Sequence, residues 1–149
     1  LDLSSWGKEN SYFEADINNP NGKRRKFQLN LCNPVQNGSC SNNSVACEVN
    51  SGDSPTLLSN LMDDTHKRTS EYNELTEVIT LTYEDKTSRV VKVDIKCNKS
   101  AEHPQISLVS NEGTKYHFQF LTKLACLVPP VQCTAEDQDG DLFRNIHAD

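Results

Sequence analysis

The sequence predicts an all-β fold, a sandwich or a flattened barrel. Three observations carry that expectation. Short segments of alternating or β-branched residues recur along the chain, about six to nine of them, with turn residues between. No stretch offers a helix of note. The 6 cysteines, Cys32, Cys40, Cys47, Cys97, Cys126 and Cys133, include no Cys-x-x-Cys pair and have no histidine at zinc-ligand spacing, so they read as disulfide partners rather than metal ligands.

The elements follow in order. Tyr12–Ile17 is a strand, and Asn19-Pro20-Asn21-Gly22 a turn, because Asn and Gly tolerate the positive φ that hairpins need. Phe27–Cys32 alternates as a second strand and buries Phe27, Leu29 and Leu31. The basic run Lys23-Arg24-Arg25-Lys26 is either a heparin or phosphate patch or a solvated hairpin edge, where lysines discourage strand addition; the edge is the preferred reading. Residues 33 to 44 form a polar loop. Val45–Val49 is a short strand, and Cys40 pairs with Cys47 across a separation of seven, which stabilises by about 2–3 kcal/mol in the chain-entropy model. Residues 51 to 72 are polar, with at most one helical turn around Leu57–Met62. Val78–Tyr83 is rich in β-branched residues, and Glu84–Ser88 turns. Arg89–Cys97 is the clearest strand, with Val91, Val93, Ile95 and Cys97 inward. Arg89 either shares that inner parity or precedes a strand that starts at Val90. Ile106–Val109 is another strand. Asn111–Cys126 reads as one more, with Tyr116, Phe118 and Phe120 alternating against Lys115, His117 and Gln119. Cys97 and Cys126 end two strong strands and pair, for about 3–4 kcal/mol. The acidic stretch Cys133–Asp141 is a surface tail rather than a calcium loop, since no glutamate follows at the right distance.

Size and charge narrow the function. The 149 residues suffice for one ordinary domain. A net charge of −6 argues against nucleic acid as a partner. No apolar run approaches the ~20 residues of a membrane helix. Leu1-Asp2-Leu3 is no signal-peptide start, so the chain is expected to begin after processing or inside a longer protein. The sequons at Asn37, Asn42 and Asn98 lie beside cysteines in expected loops, which points to glycosylation and an oxidising, luminal or extracellular compartment. No phosphate loop, no nucleophile elbow and no acid–base pair stands out, so the chain reads as a non-enzyme without cofactor or metal.

Certain residues resemble a known family. Phe27–Cys32, Cys40, Ser44–Cys47, Arg89 eight residues before Cys97, and Tyr116–Cys126 are similar to one luminal repeat of a mannose 6-phosphate receptor homology domain, in the style of the cation-independent receptor that sorts lysosomal enzymes. The resemblance spans about residues 1 to 142. It implies a flattened β-barrel of two crossed antiparallel sheets over residues 1–128, with residues 129–149 as linker and start of a following repeat. It also implies glycoprotein cargo such as lysosomal enzymes, neighbouring repeats in the same chain, and a membrane anchor outside these residues, with the repeat on the luminal or extracellular side of Golgi, endosomal or lysosomal membranes.

Binding repeats of this family hold mannose with a Gln, an Arg, a Glu and a Tyr. Arg89 and Tyr116 fall at the arginine and tyrosine positions. Glu112 lies near the glutamate position, one residue closer to Tyr116 than is usual. Glu48 stands where the glutamine belongs. An ionised Glu only accepts hydrogen bonds, whereas Gln also donates. Its charge beside a phosphate at ~4 Å costs up to about 4 kcal/mol at an effective dielectric near 20, before screening. A family disulfide, with cysteines near Asp85 and Thr114, is absent. The resemblance leaves Cys32 to pair with Cys133 or with a group outside the chain. The expectation is a repeat with a degenerate sugar site, acting as spacer or protein-binding surface; the alternative is a working lectin for mannose 6-phosphate or mannose-type N-glycans. Titration of the unfolded, unreduced chain with a thiol reagent is expected to find no free thiol, and two thiols would overturn the Cys32–Cys133 pairing.

Overall fold

The computed structural model describes residues 7–8, 11–18, 24–40, 44–49, 54–60, 67–85 and 87–126. Nine strands lie among them. The first sheet contains β1 (Phe13–Asn18), β2 (Arg24–Leu29), β3 (Ser44–Val49) and β4 (Thr56–Asn60), in that order and antiparallel throughout. The second contains β5 (Lys67–Asn73), β6 (Val78–Glu84), β7 (Val90–Cys97), β8 (Gln105–Glu112) and β9 (Lys115–Thr122), in the order β5-β6-β7-β9-β8. A single 3₁₀ turn, Lys123–Cys126, follows.

The two sheets pack face to face over one core. Phe27, Leu29 and Ala46 from the first sheet meet Leu81, Val93, Ile95, Phe118 and Phe120 from the second, all buried. Alternation does this work: β6 and β7 bury every second residue, as a strand with one covered face must. Phe13 of β1 stands edge-on to Phe120 of β9 at 5.1 Å, an arrangement that adds about 1 kcal/mol to the area it buries. Ser59 of β4 donates from Oγ to the carbonyls of Tyr83 and Arg89, a polar stitch between the sheets.

The all-β, disulfide-stapled, two-sheet architecture agrees with the sequence, with four corrections in detail. The sheets do not close into a barrel, and β7 pairs with β9 in parallel, so the second sheet is mixed rather than antiparallel. The helical turn expected near Leu57 is strand β4, and the polar stretch before Tyr72 contains β5, paired along its whole length with β6. Asn111–Cys126 is not one strand. Asn111 and Glu112 end β8, Gly113 and Thr114 turn, and β9 starts at Lys115. Gly113 has a φ of 59°, the left-handed conformation that glycine adopts without steric cost. Finally, β2 stops at Leu29. Asn30 takes the Leu31 N–H on its own side-chain oxygen, and Cys32 has a φ of 58°, which no strand continues.

Cys40 is bonded to Cys47 and Cys97 to Cys126. Cys32 is also disulfide-bonded. Cys133, its expected partner, lies outside the described residues, as do the proposed division after residue 128 and the acidic stretch.

Asn30 is the polar hub of this end of the first sheet. Its Oδ1 accepts from Lys8 N and Leu31 N, and its Nδ2 donates to the carbonyls of Lys8, Ser11 and Pro34, while the residue is 1% exposed. Asn30→Ala leaves those buried backbone groups without partners. It is expected to cost about 2–4 kcal/mol, read as a lower urea midpoint at unchanged m-value.

Candidate functional site

One end of the sandwich gathers most of the residues that the sequence singles out. β2 and β3 bring Arg25 and Glu48 to the inner side. Phe27 is the register partner of Glu48, so the two share a face, and Arg25 lies two residues from Phe27 on the same face. From the second sheet, β8 and β9 bring Asn111 and Tyr116, which are register partners.

Glu48 is met by Arg25 in a two-pronged ion pair. Arg25 Nε donates to Oε2 and Nη2 to Oε1, each at 2.8 Å. Nη2 also donates across to Asn111 Oδ1 of the other sheet at 3.2 Å. The guanidinium lies 5.2 Å from the Phe27 ring centre and 5.9 Å from that of Tyr116, within cation–π reach. Hydrogen bonding to Glu48 holds the Arg25 pKa above its ordinary value, against the lowering effect of burial. Tyr116 in turn stacks on Phe118 at 6.5 Å, and Phe27 stands edge-on to both rings.

Arg89 lies just before β7, two residues ahead of Val91, the register partner of Tyr116. Its guanidinium is committed to Asp85: Nε donates to Oδ2 at 2.7 Å. The Asp85 side chain is 0% exposed, and its Oδ1 also accepts from the N–H groups of Thr87 and Arg89 and from Thr87 Oγ1. Burial pushes this carboxyl up. The hydrogen bonds from Thr87 and Arg89 outweigh that and hold it below the usual carboxylate value. The inner-parity charge of the sequence is therefore half of a local clasp.

Glu112 does not join the group. It is exposed, and its register partner is Lys115, whereas Tyr116 pairs with Asn111. Neighbouring residues of a strand face opposite ways, so by register Glu112 and Tyr116 are directed to opposite faces of the sheet, although both border one groove at this end of it. The one-residue shortfall in spacing has this consequence. Asn111 takes the inner place instead.

Arg25 and Asn111 in the cluster, and Asp85 beside Arg89, escaped the sequence reading. Arg25 was assigned to a solvated basic edge, although it alternates in phase with Phe27 and Leu29, the signal that would have placed it inward. Asp85 was seen only as the place of a missing cysteine. The loops that a disulfide would join there are held instead by hydrogen bonds, Thr114 Oγ1 to the Ser88 carbonyl and Val90 N to the Thr114 carbonyl. Of the sequons, Asn37 is exposed in its loop, and Asn98 is half-buried, with its Oδ1 accepting from Ser100 N. Asn42 lies outside the described residues. Among the described residues no group of His, Cys, Asp and Glu could hold a metal ion.

Comparison with known proteins fits this geometry. The family model for the cation-independent mannose-6-phosphate receptor repeat matches residues 1–88. The chain belongs to that family. It is also 26% identical over 145 residues to the human cation-independent mannose-6-phosphate receptor, covering 92% of this chain and 5% of that protein. The chain thus spans about one-twentieth of the curated relative that it matches. Its kinship is with receptor repeats.

Because the native Asp85 carboxyl is depressed, its stabilisation is present above the ordinary carboxylate pKa near 4 and is lost as pH falls through the lower native value. Asp85→Asn is expected to remove about 2–4 kcal/mol at pH 7 and to flatten this part of the acid limb in urea titrations between pH 6 and 2.

Proposed function

We propose that this chain is a luminal repeat of a receptor that sorts lysosomal enzymes, and that its mannose-type site is degenerate, so the repeat acts as a spacer or a protein-binding surface. The observation that carries the reading is the Arg25–Glu48 pair. The position where the family places a glutamine holds a carboxylate, and that carboxylate already has both oxygens engaged. Opening the site for a sugar hydroxyl would mean breaking a half-buried, two-pronged ion pair, at about 2–3 kcal/mol. The placement of Glu112 on the far face supports the same reading. Cargo such as lysosomal enzymes or other glycoproteins would then be held by protein contacts. Adjacent repeats would flank the chain, and the membrane anchor would lie elsewhere in the parent, on the luminal side of Golgi, endosomal or lysosomal membranes. Glycans at Asn37, Asn42 and Asn98 suit that compartment. No catalysis and no cofactor belong to the proposal.

A second reading, a working lectin for mannose 6-phosphate or mannose-type N-glycans, draws on one observation. Arg89 uses Nε for Asp85, while its Nη1 and Nη2 make no hydrogen bond among the described residues. They remain available on the side that Tyr116 shares. A glycan array carrying mannose and phosphomannose ligands separates the two readings. No binding above background is expected for the native chain. Clear binding that Arg89→Ala or Tyr116→Phe abolishes would establish the lectin and refute the degenerate site.

A further inference from the structure

The loop that carries the Asn37 sequon is fastened on both sides of it. Before it, Val35 N donates to the Ser44 carbonyl at 2.7 Å, and the Val35 side chain is fully buried. After it, Cys40 is bonded to Cys47, and Ser39 is held by Gln28 of β2. Gln28 alternates with Phe27 and Leu29, so it points to the outer side of the first sheet. Both ends of its buried amide go to the same residue: Oε1 accepts from Ser39 N at 2.8 Å, and Nε2 donates to Ser39 Oγ at 3.2 Å. Between these anchors the chain bends, and Asn37 takes a φ of 61°. Gly38 lies so close to the sheet that a Cβ there would stand 2.6 Å from Gln28 Oε1 and 2.7 Å from Val35 Cγ1.

Attachment of an N-linked glycan makes demands on the same atoms. Transfer joins the asparagine Nδ2 to the anomeric carbon of an oligosaccharide. One amide proton is lost, and the lipid pyrophosphate that carried the sugar departs. The transferase needs the Asn-x-Ser segment accessible and reads the hydroxyl at its third position. In the closed loop Asn37-Gly38-Ser39 is bent against the sheet, and its hydroxyl already accepts from Gln28. The sequon at Asn98 differs. Asn98 Oδ1 accepts from Ser100 N, but Ser100 Oγ and Asn98 Nδ2 make no hydrogen bond among the described residues, and Lys99 and Ser100 are exposed. The disulfides also close at different times in synthesis. Cys40 waits for a partner 7 residues on, whereas Cys97 waits for one 29 residues on.

We propose that closure of the Cys40–Cys47 loop sets a time limit on glycosylation at Asn37. Asn37 accepts a glycan only before the loop shuts on Gln28, while Asn98 stays open for longer. A glycan once attached is tolerated, because Asn37 is exposed in the closed loop. The repeat then leaves synthesis in two forms, with and without a glycan beside the outer face of the first sheet. The inference rests on the luminal reading above.

The test uses the whole chain behind a signal peptide, in cells that build only oligomannose glycans, with Asn42→Gln as background so that Asn37 is read alone. An endoglycosidase leaves one N-acetylglucosamine on each occupied asparagine, and peptide mass spectrometry of cells and medium counts it. Asn37 is expected to be occupied less than Asn98. Gln28→Ala, and separately the paired Cys40→Ser and Cys47→Ser, should raise Asn37 occupancy by about twofold or more as the loop opens, with Asn98 unchanged. Thr80→Val, which loses the bond to Asp94 in the other sheet, should alter neither site. Full occupancy of Asn37 in the parent chain, no rise in either loop variant, or an equal rise with Thr80→Val would overturn the proposal. An occupied Asn98 beside an unresponsive Asn37 refutes the time limit alone, whereas no glycan at either site refutes the luminal reading and the time limit with it.

Discussion

A charged side chain taken out of water must be met by an opposite charge or by several hydrogen bonds, because the desolvation cost is otherwise prohibitive. Three carboxylates in this fold obey that constraint, each with its own partner. Glu48 takes Arg25, Asp85 takes Arg89 with the backbone of its own turn, and Asp94 takes His117 with Thr80. The pairings decide which side chains stay available. Arg25 is drawn over the aromatic seam between the sheets and bound to Asn111, so the first sheet is tied to the second there. Arg89 keeps only its outer nitrogens.

Much of the fold was legible in the residues. Alternation placed β1, β3, β6 and β7 within a residue or two, and the buried aromatic residues of β9 were identified. β4 and β5 were not. Lys67–Asn73 offers the core little beyond Tyr72 and Ser70, since it is an edge strand held by pairing with β6, and pairing leaves no mark on hydrophobic periodicity. The parallel joint between β7 and β9 was equally invisible, because strand order is set by tertiary packing.

The site was legible in part, and the failures have physical causes. A strand has a period of two, so an error of one residue exchanges its faces. Reading Asn111 into β9 instead of β8 hid the turn at Gly113 and with it the outward direction of Glu112. Arg25 was hidden by its neighbours: Arg24 and Lys26 are exposed, and a run of four basic residues looks uniform until alternate members are assigned to alternate faces. The departure at Glu48 was visible in sequence. The arginine that answers it, 23 residues earlier, became visible only when β2 was laid beside β3.

The parallel pairing of β7 with β9 also bears on how the chain reaches this arrangement. Every other neighbouring pair in the two sheets joins strands that are adjacent along the sequence, whereas Val90 meets Lys115 and Cys97 meets Thr122 with β8 between them. Such non-local closure is where a β protein loses most time, since the loop must be ordered before its contacts form. The Cys97–Cys126 bond spans a separation of 29 at the far end of this same joint. Formed before that pairing, it would shorten the search for it and couple oxidation of one cysteine pair to the assembly of the second sheet.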